Sequence, residues 1–255
     1  MKDVFLVSNV VFKESLRHKV IFSLICLSFL IILASLALDP IALGERDRLV
    51  KDAGLSTISF FSLLIIILSG TRLIYQEIEK KTIFIIITKP ISRRRLILGK
   101  FVGLLSIIYL YTIVSSVFFA LILILAKITF SASIFYSLFL IMMQSTLLSA
   151  IAIFFSSFAS PVLSGTFALL GYVAGQFVND IGFFIEKSSS IIVQALIRFL
   201  MLVIPNFYYL DIKINGVNNL PVSASYMLFS VSYTLIYVVL LIYASMLIFS
   251  KKEFY

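Results

Sequence analysis

The chain has 255 residues, of which 61% are hydrophobic and 13% charged, and its mean hydropathy is +1.13. Soluble domains are nearer half apolar and a quarter charged, so this composition excludes a soluble globular fold. At about 20 residues per membrane-crossing helix, the length allows six or seven spans and leaves no segment for a soluble catalytic domain. The net charge of +9 follows membrane topology along the chain, as shown below, and nucleic acid is not expected as a partner.

Cys26 and His18 are single residues of their types. One cysteine excludes an intramolecular disulfide and a cysteine-based metal cluster, and one histidine excludes a His-x-x-x-His metal site. Gly99-Lys100 lacks the upstream glycine and the following hydroxyl of a Walker A phosphate-binding loop. We therefore expect no metal, no bound cofactor and no enzymatic activity of the chain by itself.

The first 19 residues carry basic side chains among apolar ones, with Val4, Val7 and Val11 close to one helical face. This pattern predicts an amphipathic helix on the membrane surface. Six apolar segments follow, and the predicted spans are residues 20–38, 56–75, 101–126, 134–158, 162–178 and 226–249. The predicted fold is all-α, a single polytopic transmembrane domain with six transmembrane helices.

Three connecting segments are polar or mixed. Residues 39–54 form a polar loop, residues 76–100 are the most charged stretch, and residues 179–222 are a long mixed segment. Within the last, residues 191–204 are apolar but only 14 long, and they end before Pro205. Because this is short for a crossing, we predict an interfacial or re-entrant helix there.

The charge distribution predicts the orientation. With six spans, both termini and residues 76–100 share one side, which holds 14 Lys and Arg against 5 Asp and Glu, whereas the other side holds 7 of each. The positive-inside rule makes the basic side cytoplasmic. A seventh span at residues 191–204 would move Lys251 and Lys252 outside. We therefore expect a multi-pass protein of the cell (inner) membrane, with both termini in the cytoplasm and lipid as its surroundings.

The predicted span cores contain no Asp, Glu, Lys, Arg or His, which argues against a proton-coupled transporter and an intramembrane aspartyl or zinc protease. Hydroxyl and amide side chains recur in the third and fourth spans, among them Tyr109, Gln144 and Ser149. Such residues either pack helices closely or line a translocation pathway. Gln144 is the best pathway candidate, because an amide in hydrocarbon needs a partner. Gly171 and Gly175 match the small-x-x-x-small packing pattern.

A short apolar run from Ile83 to Ile87 lies between the charged ends of the segment 76–100. It is too short to cross a bilayer, so it must dock on the membrane surface or in a groove of another protein. A loop that only sets topology would explain the basic residues. It would not explain the acidic pair, the apolar run and the proline together.

This segment resembles the permease subunits of ABC transporters of the second exporter type, most closely the small six-span permeases that include the nitrous oxide reductase maturation permease. The residues that carry the resemblance are Glu77, Glu79, Thr82-Ile83, Pro90-Ile91-Ser92-Arg93 and Gly99-Lys100. The chain departs from the pattern at Lys81, where these permeases usually have glycine.

The resemblance implies a permease subunit that forms the translocation pathway, with export as the expected direction. It implies a second permease copy, as a homodimer or related heterodimer, and two copies of a cytosolic ABC ATPase subunit that binds ATP and Mg. The loop would contain a coupling helix that docks on the ATPase. The residues expected to take part in coupling are Glu77, Glu79, Thr82, Ile83, Ile85, Pro90, Arg93, Gly99 and Lys100.

Two alternatives stay open. One is a membrane scaffold or assembly factor for an envelope enzyme, without transport activity. The other is a channel, which the missing charged pore lining disfavours.

Overall fold

The computed structural model describes residues 2–37, 44–79, 92–180 and 190–251, and these residues form an all-helical protein without strands. The helices are α1 (Lys2–Arg17), α2 (Lys19–Ala34), α3 (Arg46–Glu79), α4 (Arg93–Leu125), α5 (Ala132–Ser156), α6 (Pro161–Gln176), α7 (Ile191–Val203), α8 (Lys213–Val217) and α9 (Ala224–Lys251). A 3₁₀ turn at Phe207–Leu210 lies between α7 and α8.

Five helices of the described part are long and apolar enough to cross a membrane, namely α2 with its 3₁₀ extension, α3, α4, α5 and α9. These five coincide with predicted spans, so the multi-pass membrane architecture is confirmed. The remaining predicted span, residues 162–178, corresponds to α6, which has 16 residues. At 1.5 Å per residue, α6 is about 24 Å long, shorter than the ~30 Å hydrocarbon core.

Helix α3 begins at Arg46, ten residues before the predicted span, so half of the predicted loop 39–54 is helical. Two residues of this extension are buried inside the bundle. The side chain of Lys51 is only 1% exposed, and Gly54 lies directly against the ring of Phe119. Burial of this polar turn is a tertiary effect that hydropathy alone does not predict.

The predicted loop 76–100 is helical at both ends, since α3 continues to Glu79 and α4 begins at Arg93. Gly99 and Lys100 therefore lie in the second turn of a helix and not in a loop. The physical reason is that Gly99 packs against α1 and Lys100 bonds to α3. We call the end of the bundle where α3 ends and α4 begins the loop end.

Helix α5 is the centre of the bundle and packs against α3, α4, α6 and α9. Within its apolar window 72% of the residues are buried, compared with 22% in α2 and in α9. Helix α5 is buried because other helices surround it, whereas α2 and α9 present most of their apolar surface outward. Lipid or another protein must cover that surface.

Candidate functional site

The start of α4 is tied to two other helices by arginine side chains. Arg93 Nη1 donates a hydrogen bond of 3.2 Å to the backbone carbonyl of Ser250, close to the end of α9. Arg95 Nη1 forms an ion pair of 2.7 Å with Asp3 Oδ2 at the start of α1. Arg93 and Arg95, within the predicted segment 76–100, are therefore engaged in contacts within the protein.

Lys100 adds a third tie, to α3. Its side chain is 3% exposed, and its Nζ donates a hydrogen bond to the backbone carbonyl of Leu73. A buried ammonium group is costly unless it is hydrogen-bonded, so this bond fixes where α3 and α4 meet. We call Arg93, Arg95 and Lys100, with the helices that they bind, the α4 junction.

Helix α1 crosses α4 at two glycines. A Cβ atom on Gly99 would lie 2.6 Å from Val7 Cβ, and one on Gly103 would lie 2.7 Å from Val11 Cβ and 2.9 Å from the Ser8 carbonyl. The two distances to the valine Cβ atoms are shorter than carbon–carbon contact allows, so only glycine permits this approach. Gly103 was missed in the sequence, although Gly99-Lys100-Phe101-Val102-Gly103 is itself a small-x-x-x-small pattern.

The remaining predicted coupling residues are placed less fully. Glu77 and Glu79 belong to the last turn of α3. Thr82, Ile83, Ile85 and Pro90 lie outside the described residues. The coupling role of all these residues stays a prediction, and the α4 junction shows only what adjoins them on the α4 side.

Gln144 lies inside the bundle, 3% exposed, with both ends of its amide bonded. Its Oε1 accepts from Ser59 Oγ over 3.5 Å, and its Nε2 donates to Tyr172 OH over 3.1 Å. Gln176 Nε2 donates to the same Tyr172 oxygen over 3.2 Å. This network joins α3, α5 and α6, an arrangement that fits helix packing.

Tyr109 and Ser149 also have partners. Tyr109 OH and Thr146 Oγ1 are 2.7 Å apart and join α4 to α5. Ser149 Oγ donates to the Ser145 carbonyl of its own helix over 2.7 Å. Hydroxyl groups that bond backbone one turn earlier, as here, are satisfied without any ligand.

The two glycines of the predicted small-residue pair have different surroundings. A Cβ atom on Gly171 would meet its nearest neighbour, Ile151 Cγ2, at 4.0 Å, which is ordinary contact. A Cβ atom on Gly175 would overlap the Pro205 carbonyl and lie 2.5 Å from Phe207 Cδ2. Only Gly175 therefore requires glycine, and it does so because the chain after α7 packs against it.

Parts of the segment 205–216 pack into the bundle between the helices, at the end opposite the loop end. Phe207 is fully buried, with its ring 5.1 Å from that of Tyr172. Ser137 Oγ donates to the Ile212 carbonyl over 3.0 Å, and a Cβ atom on Gly216 would lie 2.6 Å from Ser137 Oγ. The sequence predicts a long mixed segment here but not the packing of Gly216 against α3 and α5.

The described residues hold no group of three His, Cys, Asp or Glu side chains that could bind a metal ion. They do form clefts between helices. One of about 400 Å³ lies between α3 and α6, and a smaller one of about 90 Å³ lies between α3 and the α1–α2 corner. The first is lined mostly by apolar side chains, including Leu68, Val162 and Leu170.

Comparison with known proteins agrees with this architecture. The chain matches the family model described as ABC-2 family transporter protein over residues 15–186, about two thirds of its length. No curated protein matches it significantly. The closer similarity to the nitrous oxide reductase maturation permease is not tested by this match and stays a prediction. The match starts near the end of α1 and includes Arg93, Arg95 and Lys100, and the chain belongs to the ABC-2 family of transporter proteins.

Proposed function

We propose that this protein is the permease subunit of an ABC exporter, that it works as a dimer, and that two cytosolic ATPase subunits drive it. The observation that carries the proposal is the family match over residues 15–186, together with the connection between α3 and α4 that the match includes. ATP and Mg would bind to the partner subunits.

The α4 junction supports a coupling role for the neighbouring segment. Residues 80–91 connect α3 to α4, so a displacement of this segment moves the start of α4. The hydrogen bond from Lys100 to Leu73 holds α4 to α3. Arg95 and the two glycine crossings carry the same displacement to α1. We propose that ATP binding closes the ATPase pair and moves the loop end of each permease as one unit.

Energetically, the ATPase can shift the permease only through contacts that differ between its two states. The proposed difference is the docking of the apolar run Ile83–Ile87 on the ATPase, which would remove these side chains from water or lipid. Glu77 and Glu79, at the end of α3, would anchor this element. Arg94, exposed at the start of α4, would hold it near the anionic leaflet.

The proposed topology has six spans, with α6 as the fifth. A helix of 16 residues can cross where the bilayer thins or where flanking residues complete the crossing. Helix α1 is proposed to lie at the cytoplasmic interface. It packs Ser8 and Val11 toward the bundle and exposes Phe5 (71%) and Val10 (64%), which suits insertion of the exposed face among lipids.

The test of coupling uses two substitutions, Ile85→Asp and Glu77→Ala. An unpaired charge in a docked apolar face costs several kcal/mol, so Ile85→Asp should abolish binding of the cognate ATPase in copurification. Glu77→Ala should lower the ATP turnover of the complex. The matched control for the acid is Glu45→Ala, since Glu45 is exposed and lies at the other end of α3 from Glu77.

If the Ile85→Asp variant inserts into the membrane like the wild type and keeps normal ATPase binding and turnover, the coupling helix is refuted. If no ATPase copurifies with the wild-type chain, the scaffold or channel alternatives replace the permease.

A second experiment addresses the expectation that the chain has no catalysis of its own. In nanodiscs the purified chain should not hydrolyse ATP, and hydrolysis should need a separate subunit bearing a Walker A lysine. The control replaces that lysine. Hydrolysis that survives the replacement and scales with the concentration of this chain would contradict the proposal.

A further inference from the structure

The cleft between α3 and the α1–α2 corner has both signs of charge in its lining, whereas the α3–α6 cleft has only Arg72, which lines both. It has a volume of about 90 Å³, several times what a single water molecule needs. Arg72 of α3 and Glu14 of α1 line it, and His18 contributes a third titratable group from the α1–α2 connection.

None of these three side chains forms a hydrogen bond or an ion pair with another residue of the described ranges. In addition, Ser69 Oγ lines the same cleft, is shielded from solvent, and has no partner there. Buried hydroxyl groups nearly always have a partner. Glu14, His18 and Arg72 are exposed, so water satisfies them when no ligand is bound, whereas Ser69 Oγ is shielded. The cleft therefore offers a ligand two donors, Arg72 and Ser69, and a carboxylate acceptor, Glu14.

The position of the cleft indicates where a ligand would come from. Arg72 lies in the last turn of the predicted span 56–75, and Val20 begins the predicted span 20–38, so the cleft lies at the level of lipid headgroups. Its rim includes Val20 and Leu68, which are 47% and 38% exposed. A headgroup in the cleft would leave its acyl chains along these side chains.

We propose that this cleft binds the headgroup of a phospholipid with a primary ammonium group, of the phosphatidylethanolamine class. The phosphate would accept hydrogen bonds from Arg72 and Ser69, and the ammonium group would donate to Glu14. Charge-assisted hydrogen bonds are the stronger kind. A purely anionic headgroup would meet Glu14 unfavourably, and a quaternary ammonium group has no N–H to donate. The site does not depend on the proposed export function, since it needs only the packed helices α1, α2 and α3.

The test uses the full chain, purified from detergent and exposed to equal amounts of phosphatidylethanolamine, phosphatidylglycerol and phosphatidylcholine. Bound lipid is then counted by native mass spectrometry. The wild-type protein should retain phosphatidylethanolamine over the other two. Arg72→Gln should lower retention of all three lipids, by roughly threefold to tenfold for one lost charge-assisted bond, and Arg72→Lys should restore part of it.

Glu14→Gln should remove only the preference for phosphatidylethanolamine over phosphatidylglycerol. The controls, Arg48→Gln and Glu45→Gln, neutralise exposed charges outside the cleft and should leave the ratios unchanged. Soluble glycerophosphoethanolamine forms the last arm and should fail to compete, because it lacks the acyl chains.

Equal retention of the three lipids by the wild-type protein would overturn the proposal, as would an unchanged ratio in Glu14→Gln. Competition by the soluble headgroup at the lipid's own concentration would reassign the cleft to a water-soluble phosphoethanolamine compound.

Discussion

Lys51 Nζ donates a hydrogen bond of 3.0 Å to Asn219 Oδ1, although the two residues are 168 positions apart in the chain. The same Nζ lies 3.4 Å from Thr129 Oγ1, in the connection between α4 and α5. One buried lysine thus joins α3 to two loops at the end of the bundle opposite the α4 junction. At both ends of the bundle, a buried lysine in the second turn of a long helix holds a neighbouring segment in place.

The first prediction concerns this contact. Asn219 has a positive φ of 55°, which glycine tolerates and alanine does not. Asn219→Gly should remove the acceptor alone and lower the free energy of unfolding by about 1–3 kcal/mol, the cost of a buried donor that loses a partner. Asn219→Ala should be less stable than Asn219→Gly, because it adds backbone strain. Thermal unfolding in detergent measures both, and a glycine variant as stable as wild type would contradict the role of Lys51.

The second prediction concerns the crossing of α1 and α4. Gly103→Ala should force α1 away from α4, because the new Cβ would lie 2.7 Å from Val11 Cβ. Overpacking of this kind costs about 1–3 kcal/mol. The matched control is Gly171→Ala, also within a helix but with its nearest neighbour at 4.0 Å, and it should be neutral or slightly stabilising. The measurement compares the unfolding temperatures of the two variants in the same detergent. Equal temperatures would refute the close crossing of α1 and α4.

The third prediction decides between packing and a pathway for Gln144. In a Cys26→Ala background, Gln144→Cys should not react with a water-soluble maleimide, since position 144 is 3% exposed within the bundle. Ser223→Cys, in an exposed position before α9, is the reactive control. The measurement is repeated while the cognate ATPase turns over ATP. Labelling of position 144 that appears only during turnover would show that water reaches it and would favour the pathway interpretation.

The fourth prediction concerns topology. Single cysteines at Asp47 and Asn215, in the Cys26→Ala background, should react with an impermeant maleimide in intact spheroplasts. A cysteine at Lys89 should react only after the cells are opened, because the basic side is expected to be cytoplasmic. The reverse pattern, with labelling at 89 and none at 47, would overturn the orientation and with it the cytosolic coupling loop.

The membrane class and the helix order are predictable from hydropathy and charge alone, because the bilayer imposes one simple rule on every span. Long apolar segments must be helices to satisfy their backbone groups, and α2, α3, α4, α5 and α9 follow that rule. The turn between α5 and α6 follows from Pro161, which begins α6. The family resemblance, which rested on the motif between the second and third spans, is likewise confirmed at the level of the ABC-2 family.

Gly99, Lys100 and Lys51 show what the sequence could not decide. Motif reasoning assigns Gly99 and Lys100 to coupling, which stays a prediction. It does not predict that Gly99 packs against Val7 of α1 or that Lys100 bonds to the Leu73 carbonyl. The sequence predicts that Lys51 lies in a polar loop, yet its side chain is almost fully buried.

The physical reason is the range of the forces involved. Hydrophobic transfer into the bilayer acts on each segment separately, so the chain alone determined the class of protein and its apolar helices. Hydrogen bonds and close packing act between segments that are distant in sequence, as between Lys51 and Asn219. Only the tertiary structure brings such partners together, and it alone decided that α1, α3, α4 and α9 meet at the α4 junction and that Phe207, Ile212 and Gly216 are buried in the bundle.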